Sequence, residues 1–455
     1  MFVAVVWRLW VVRVPLFSIC ANWRQRQKPV RFSTMGGKRR NKNKSDREDL
    51  AIMPSSSRKA PAMVAESDES DAESFATHLT LDDDLQSVMA DDEVEEEEIE
   101  CDPTALSTRL SEFLDNATHK NISIRLAALD NIQKMLMKHC MTEELERWRS
   151  TMMDVIEKNL RKTDEEAYRA ALLAALISIQ LGDSLSEEME PVANILRQTC
   201  TDGSRVERLR AQCASSLALC TYLCIEQPAS LSQSASALRS VWMTTKSNVV
   251  STALFSAAVS GWSLLIDQAG RRTLESALLD QPKLCTFVDG AHVDMRVSAG
   301  EALTVLYEAA VETMGEAYRF PNHQHLLEML ASLSTDSVKF RAKKDRRVQR
   351  FSFRQIYGVI KNQERPSMTI KFDGETLELD SCGKKLLYDM LCGVLRGGMN
   401  IHLKSNSLLR ELFELGPVQD HLPIKMSKLQ RKSIQNAVNK TRDLQRAKQR
   451  DKRAC

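Results

Sequence analysis

The chain has eleven cysteines but no CxxC pair and no cysteine–histidine cluster at metal-ligand spacing, which excludes the common zinc modules and thioredoxin-like redox motifs. The closest cysteines, Cys220 and Cys224, stand one helical turn apart, as small apolar residues of a core in a reducing compartment do. A glycine-rich phosphate loop, an HExxH pair and a nucleophile elbow are all missing, so the sequence predicts neither an enzyme nor a cofactor. The histidines are scattered, and the near pair His323 and His325 would fall on opposite sides of a helix, a poor arrangement for metal. No apolar run in the body approaches the ~20 residues of a membrane helix, and neither a membrane nor a small-molecule substrate is expected as a partner. Positive charge is absent from one long stretch: between Ala60 and Thr108 there is no Lys or Arg, and Asp and Glu dominate.

What is present is sharply segregated. The net charge of the 455 residues is only +2, yet Lys425 to Cys455 holds eleven Lys and Arg against two Asp. The two ends therefore carry opposite fields. Residues 1–34 are mostly apolar at first, with Arg8 and Arg13 the charges before Cys20. They read as an upstream extension ahead of the basic start at Met35, or as a targeting segment. Residues 35–103 are basic and then acidic, with few aromatics; such a segment cannot bury enough apolar surface to offset chain entropy and is expected to be a disordered arm. Serines 67, 70 and 74 sit among acids there, which suits an acid-directed kinase as well as a solvated linker.

From Leu106 the apolar spacing becomes helical and the chain repeats itself. Arg125-Leu-Ala-Ala-Leu, Arg169-Ala-Ala-Leu-Leu, Arg210-Ala-Gln-Cys-Ala and Arg296-Val-Ser-Ala-Gly each open with a basic residue followed by small residues on one face. The steps between these arginines are 44, 41 and 86, the last being twice 43, and Ser251-Thr-Ala-Leu-Phe-Ser-Ala-Ala stands where the intervening unit belongs. A period of about 43 residues is that of HEAT or armadillo repeats. Five helix pairs over 104–337 would stack through their Ala, Ser, Gly and Cys stripes and share one core.

Beyond the repeats, eight basic residues crowd into sixteen positions: Lys339, Arg341, Lys343, Lys344, Arg346, Arg347, Arg350 and Arg354, against the single acid Asp345. Phe340, Phe351 and Phe353 interleave them, either as stacking platforms for bases or as the buried side of a helix. Residues 368–372 and 375–379 read as two strands around Asp373-Gly374, a strong hairpin signal. A helix capped by Asp380 or Ser381 is expected to run to Gly397-Gly398, and another over 407–415 to stop at Gly416-Pro417. Residues 338–422 thus form a small α+β cap. Pro423 permits a last helix, 423–455, of ~40 Å at 1.5 Å per residue. Its cations include Lys428, Arg431, Lys432, Lys440, Arg442, Arg446, Lys448 and Arg450. With so little to bury, it needs an anionic partner. The fold class is therefore all-α: an armadillo/HEAT-like α-solenoid with a small α+β C-terminal cap and a basic C-terminal helix.

Asp294-Met-Arg-Val-Ser-Ala-Gly-Glu-Ala-Leu, Thr335-Asp-Ser-Val-Lys-Phe-Arg-Ala-Lys-Lys-Asp-Arg-Arg-Val-Gln-Arg-Phe-Ser-Phe-Arg and Leu408-Leu-Arg-Glu-Leu-Phe-Glu-Leu-Gly-Pro-Val resemble the interferon-related developmental regulator family. The resemblance runs from about residue 104 to the basic C-terminus, while the tail matches by charge and helicity more than by residue. It implies an armadillo-like fold and a regulator of gene expression. Two activities are linked with the family: binding translationally inactive ribosomes, with a C-terminal helix in the mRNA path, and transcriptional co-regulation through deacetylase-containing complexes. On the first reading the two cationic blocks bind ribosomal RNA phosphates without reading sequence. On the second, the solenoid surface bridges co-repressor proteins in the nucleus, and Lys38-Arg39-Arg40 and the C-terminal cluster act as import signals. Cytoplasmic and nuclear residence fit these readings better than mitochondrial or secretory targeting by residues 1–34.

Overall fold

The computed structural model describes residues 103–245, 252–290, 292–335, 343–366, 368–372 and 374–418, with 432, 436 and 440 of the tail. The leading segment 1–34, the acidic arm and most of the tail lie outside the described residues. The chain divides into a unit ending at Leu415 and a second unit, Gly416–Cys455.

The first unit is a stack of helix pairs. Its outer layer comprises α1 (Pro103–Ala117), α3 (Thr142–Leu160), α5 (Ser186–Thr201), α7 (Pro228–Thr244), the short α9 (Arg271–Leu278) and α10 (Gln281–Val288), and α12 (His323–Thr335). Its inner layer comprises α2 (Ile122–Lys138), α4 (Asp164–Leu181), α6 (Glu207–Cys224), α8 (Ala253–Asp267), α11 (Val293–Met314) and α13 (Lys343–Asn362). Each inner helix packs on its outer partner and on the inner helices before and after it, the arrangement of an α-solenoid. All four arginine-led segments, and the unit near residue 253, fall in the inner layer. The stack runs one helix past residue 337, because α12 and α13 form a sixth pair.

Small residues recur on the inner helices because those helices must approach closely. A Cβ built on Gly261 of α8 would stand 2.7 Å from the Cβ of Ala218 on α6, inside van der Waals contact. Burial is nearly complete around α4, α6, α8 and α11, so these helices are covered on most sides and lack the single apolar stripe of a surface helix. The stretch Asp164–Thr201 even contains an 18-residue window long and apolar enough to cross a membrane, and 78% of that window is buried among neighbouring helices. Ser178, Gln180 and Asp183 interrupt any unbroken apolar run there.

Polar bonds between successive repeats fix the register, and each joins residues about one period apart. Arg125 Nε meets Glu166 Oε1 at 2.6 Å, and Arg169 Nε meets Asp130 Oδ1 at 2.6 Å. Farther along, Arg239 forks onto Asp280 at 2.5 and 2.6 Å, Thr252 Oγ1 meets Asp294 Oδ2 at 3.3 Å, and Ser298 Oγ meets Ser256 Oγ at 2.9 Å. Gln180 joins two repeats at once: its amide donates to Leu136 O (3.0 Å) and its oxygen accepts from Met141 N (2.7 Å). Such partners satisfy helix-terminal backbone groups that the helices themselves leave open. The basic residue that heads the repeats thus has a structural role in at least three of them, since Arg210 Nε donates to Cys200 O at 3.0 Å, near the end of α5.

The cap begins with the hairpin of β1 (Met368–Phe372) and β2 (Glu375–Leu379), paired antiparallel with Ile370 opposite Leu377. Ile370, Phe372, Leu377 and Leu379 are buried, Lys371 and Glu378 exposed, the period-two pattern of a strand with one wet face. Gly374, at φ 88°, takes the left-handed turn position that glycine adopts without steric cost. From here α14 (Cys382–Leu395), α15 (Met399–Ser405) and α16 (Ser407–Leu412) cross the inner layer. Contacts run from α14 to α4, α8 and α11, and from α16 to α4. The cap therefore lies over the inner helices and reaches back to the first repeats. Two hydrogen bonds and one close approach seat it there. His402 Nε2 lies 2.9 Å from Leu136 O, and Asn406 Nδ2 donates to Ile179 O at 2.8 Å; both oxygens belong to last-turn carbonyls, of α2 and α4, that have no helical donor. Gly398 lies so close to Met137 O that any Cβ there would overlap the oxygen.

Candidate nucleic-acid interface

Helix α13 carries most of the first cationic block. Its buried side chains include Gln349, Ser352, Phe353, Ile356, Val359 and Ile360, an i, i+3, i+4 stripe that faces the solenoid. Gly300 of α11 makes room for it: a Cβ there would come within 2.8 Å of Ile356 Cδ1 and 3.2 Å of Phe353 Cε1. Arg354 and Lys361 stand exposed, and Arg350 is half-buried. The Lys361 ammonium lies 4.9 Å above the Tyr357 ring, a cation–π pair that holds the lysine along the helix.

Of the block's other residues, Lys343, Lys344, Arg346 and Arg347 belong to the first turns of α13, while Lys339, Arg341 and Phe340 lie outside the described residues. Phe353 is fully buried, so it belongs to the core and offers no platform to a base, and Phe351 is half-buried. In the tail, Lys432 and Lys440 are helical and exposed. Lys428, Arg431, Arg442, Arg446, Lys448 and Arg450 lie outside the described residues. The structure thus brings Arg350 and Arg354 onto one helix with Lys361.

Sequence reading missed Lys361, Tyr357 and a second cationic spot on the inner layer. There the Arg208 guanidinium lies 4.1 Å over the Tyr168 ring. Burial raises the Tyr168 pKa, partly offset by the positive charges of Arg208 and Arg396. Arg396 itself sits at φ 53°, ψ −125°, a backbone state that side chains rarely take. Residues 40 positions apart and more meet here only because the repeats stack, and no local pattern announces it.

The rest of the body offers little chemistry. Among the described residues no three His, Cys, Asp or Glu gather as a metal site. Cys200, Cys213, Cys220 and Cys224 are buried, and burial pushes the thiols of Cys200 and Cys220 up to about 12. These thiols remain protonated and unreactive.

The family model for interferon-related developmental regulator matches residues 76–361, and the interferon-related protein conserved region matches residues 406–454. Interferon-related developmental regulator 1 of Sus scrofa is 31% identical over 367 residues, covering 77% of this chain and 81% of that protein. Interferon-related developmental regulator 2 of Mus musculus is likewise 31% identical, over 371 residues, covering 77% and 83%. Among solved structures, a designed armadillo repeat protein covers 55% of this chain (12% identity, 99% of its own length, TM-score 0.36). A Kap121p mutant covers 74% of this chain (13% identity, 38% of its own length, TM-score 0.44). With the first model spanning 76–361 and such relatives aligned over most of both lengths, the chain belongs to the interferon-related developmental regulator family.

Proposed function

We propose that this protein is a non-enzymatic regulator of gene expression that binds translationally inactive ribosomes, gripping ribosomal RNA through the outward face of α13 and the cationic tail. One observation carries the reading. Helix α13 is pinned by Phe353, Ile356 and Ile360 while Arg354 and Lys361 face outward, and a tail of eleven Lys and Arg follows the cap. Arg354 and Lys361 thereby share the exposed side of one packed helix. Such contacts supply affinity through counterion release and read no base sequence. With Phe353 committed to the core, phosphate contact is favoured over base stacking at this helix.

The tail acts, on this reading, as a rod lying in a channel for single-stranded RNA. Co-sedimentation with purified ribosomes tests it, comparing the full chain with one lacking residues 423–455. Loss of co-migration on truncation is the expected result, and unchanged co-migration removes the tail from the mechanism. A protein confined to the nucleus that never sediments with ribosomes would instead favour the co-regulator reading, in which the solenoid surface binds co-repressor proteins.

A further inference from the structure

Arg396 follows α14 at φ 53°, ψ −125°. Gly182 follows α4 in nearly the same backbone state, φ 57°, ψ −133°. Glycine takes that state without steric cost, whereas an arginine there is strained. The Arg396 side chain is exposed, so burial in a core does not offset the strain. A strained residue of this kind is one whose side chain is needed at one place.

Helix α14 packs against α4, which brings Arg396 close enough to Tyr168 for its charge to act on the phenol. Over the same ring lies the Arg208 guanidinium, 4.1 Å from the centroid, with 58% of its side chain exposed. The ring fixes this head group by cation–π attraction and leaves N–H donors at its rim. Three carboxylates stand nearby, and other arginines hold them. Asp164 lies 2.8 Å from Arg205 Nε, Asp130 lies 2.6 Å from Arg169 Nε, and Glu165 lies 2.8 Å from Arg169 Nη1. The approach of Arg208 to Glu165 is longer, at 3.4 Å. We propose that Arg208 and Arg396 form a site for one backbone phosphate of RNA, with one guanidinium supplied by the solenoid and the other by the cap. Two planar donor forks on one anion make the short, charge-assisted bonds that phosphate oxygens accept best. The site rests on the RNA-binding reading above and adds a separate contact to it. Neither arginine belongs to the two cationic blocks, and α8 and α11 separate α6 from α13 in the inner layer. Phosphate contacts position a protein without reading sequence, so a second anchor sets how the solenoid lies on the RNA.

The test is binding of the full chain to a labelled single-stranded RNA oligonucleotide, followed by fluorescence anisotropy over a salt series, for the wild type, Arg208→Gln and Arg396→Gly. Each variant should bind about three- to tenfold more weakly at low salt, with the salt slope reduced by about 0.7. Arg396→Gly should also unfold at a higher temperature, because glycine relieves the backbone strain. A variant that is more stable yet binds less separates a role toward ligand from a role in folding. Wild-type affinity in either variant overturns the site, and so does a lower unfolding temperature for Arg396→Gly. A wild type that binds no RNA brings down the RNA-binding reading together with this site, whereas variants that match a binding wild type bring down this site alone.

Discussion

His402 Nε2 lies 2.9 Å from the carbonyl oxygen of Leu136, 266 residues earlier in the chain. Leu136 O belongs to the last turn of α2, where no helical N–H is available; Gln180 Nε2 already donates to it at 3.0 Å, so the cap supplies this carbonyl's second donor. Asn406 likewise donates to Ile179 O, in the last turn of α4. The C-terminal segment is therefore part of the solenoid's own hydrogen-bond inventory.

Stability should fall with acidification near this contact. Burial lowers the His402 pKa below the ordinary imidazole value of 6.5, more than its bonds to Leu136 and Met137 raise it. The unfolded chain then binds the proton more readily than the folded one. The stability this histidine contributes is present above pH 6.5 and is lost as pH falls below it. The depressed values of His139 and His323 act in the same direction. Thermal unfolding at pH 7.5 and 5.5 should show a lower midpoint in acid, and His402→Gln should shrink that difference.

Gly398→Ala should dislodge the cap. The added Cβ would overlap Met137 O, a backbone atom that cannot turn aside, so the loss should be about 3 kcal/mol or more. Hydrogen exchange at residues 399–415 should rise in the variant. Wild-type protection there would show that the α15 backbone shifts freely.

Arg410 holds the cap's own fold. It is 1% exposed, forks onto Glu375 at 3.2 and 2.8 Å, and donates to Leu403 O and Leu415 O at 3.1 and 2.9 Å. Arg410→Ala should cost about 3–5 kcal/mol, because it strands a carboxylate and two carbonyls. Arg410→Lys should recover only part of that, since an ammonium cannot match the fork. Denaturant unfolding of the two variants measures both.

Much of this was legible in the sequence, for physical reasons. The repeats announced themselves because close helix contacts, such as that of Gly261 with Ala218, demand small residues along the inner helices and because Arg125, Arg169 and Arg210 each bond a neighbouring repeat or partner helix. Asp373-Gly374 signalled the hairpin. The sixth pair stayed hidden because the first turns of α13 are cationic and break the small-residue pattern. Helix α15 is only seven residues long, too short for periodicity to register. Where the cap docks depends on contacts such as His402 with Leu136, which no local signal encodes. At the candidate interface, charge marked Arg350 and Arg354, whereas Lys361 and Tyr357 emerged only from the helix geometry.

The most direct measurement is the affinity of the full chain for purified ribosomes as a function of salt, beside a variant in which the eleven Lys and Arg of residues 425–455 are glutamine. The account predicts that log affinity falls linearly with log salt, by about 0.7–0.9 per phosphate contacted. Neutralisation should then weaken binding and flatten that slope by several units. Equal affinity and equal slope for the two proteins would contradict it.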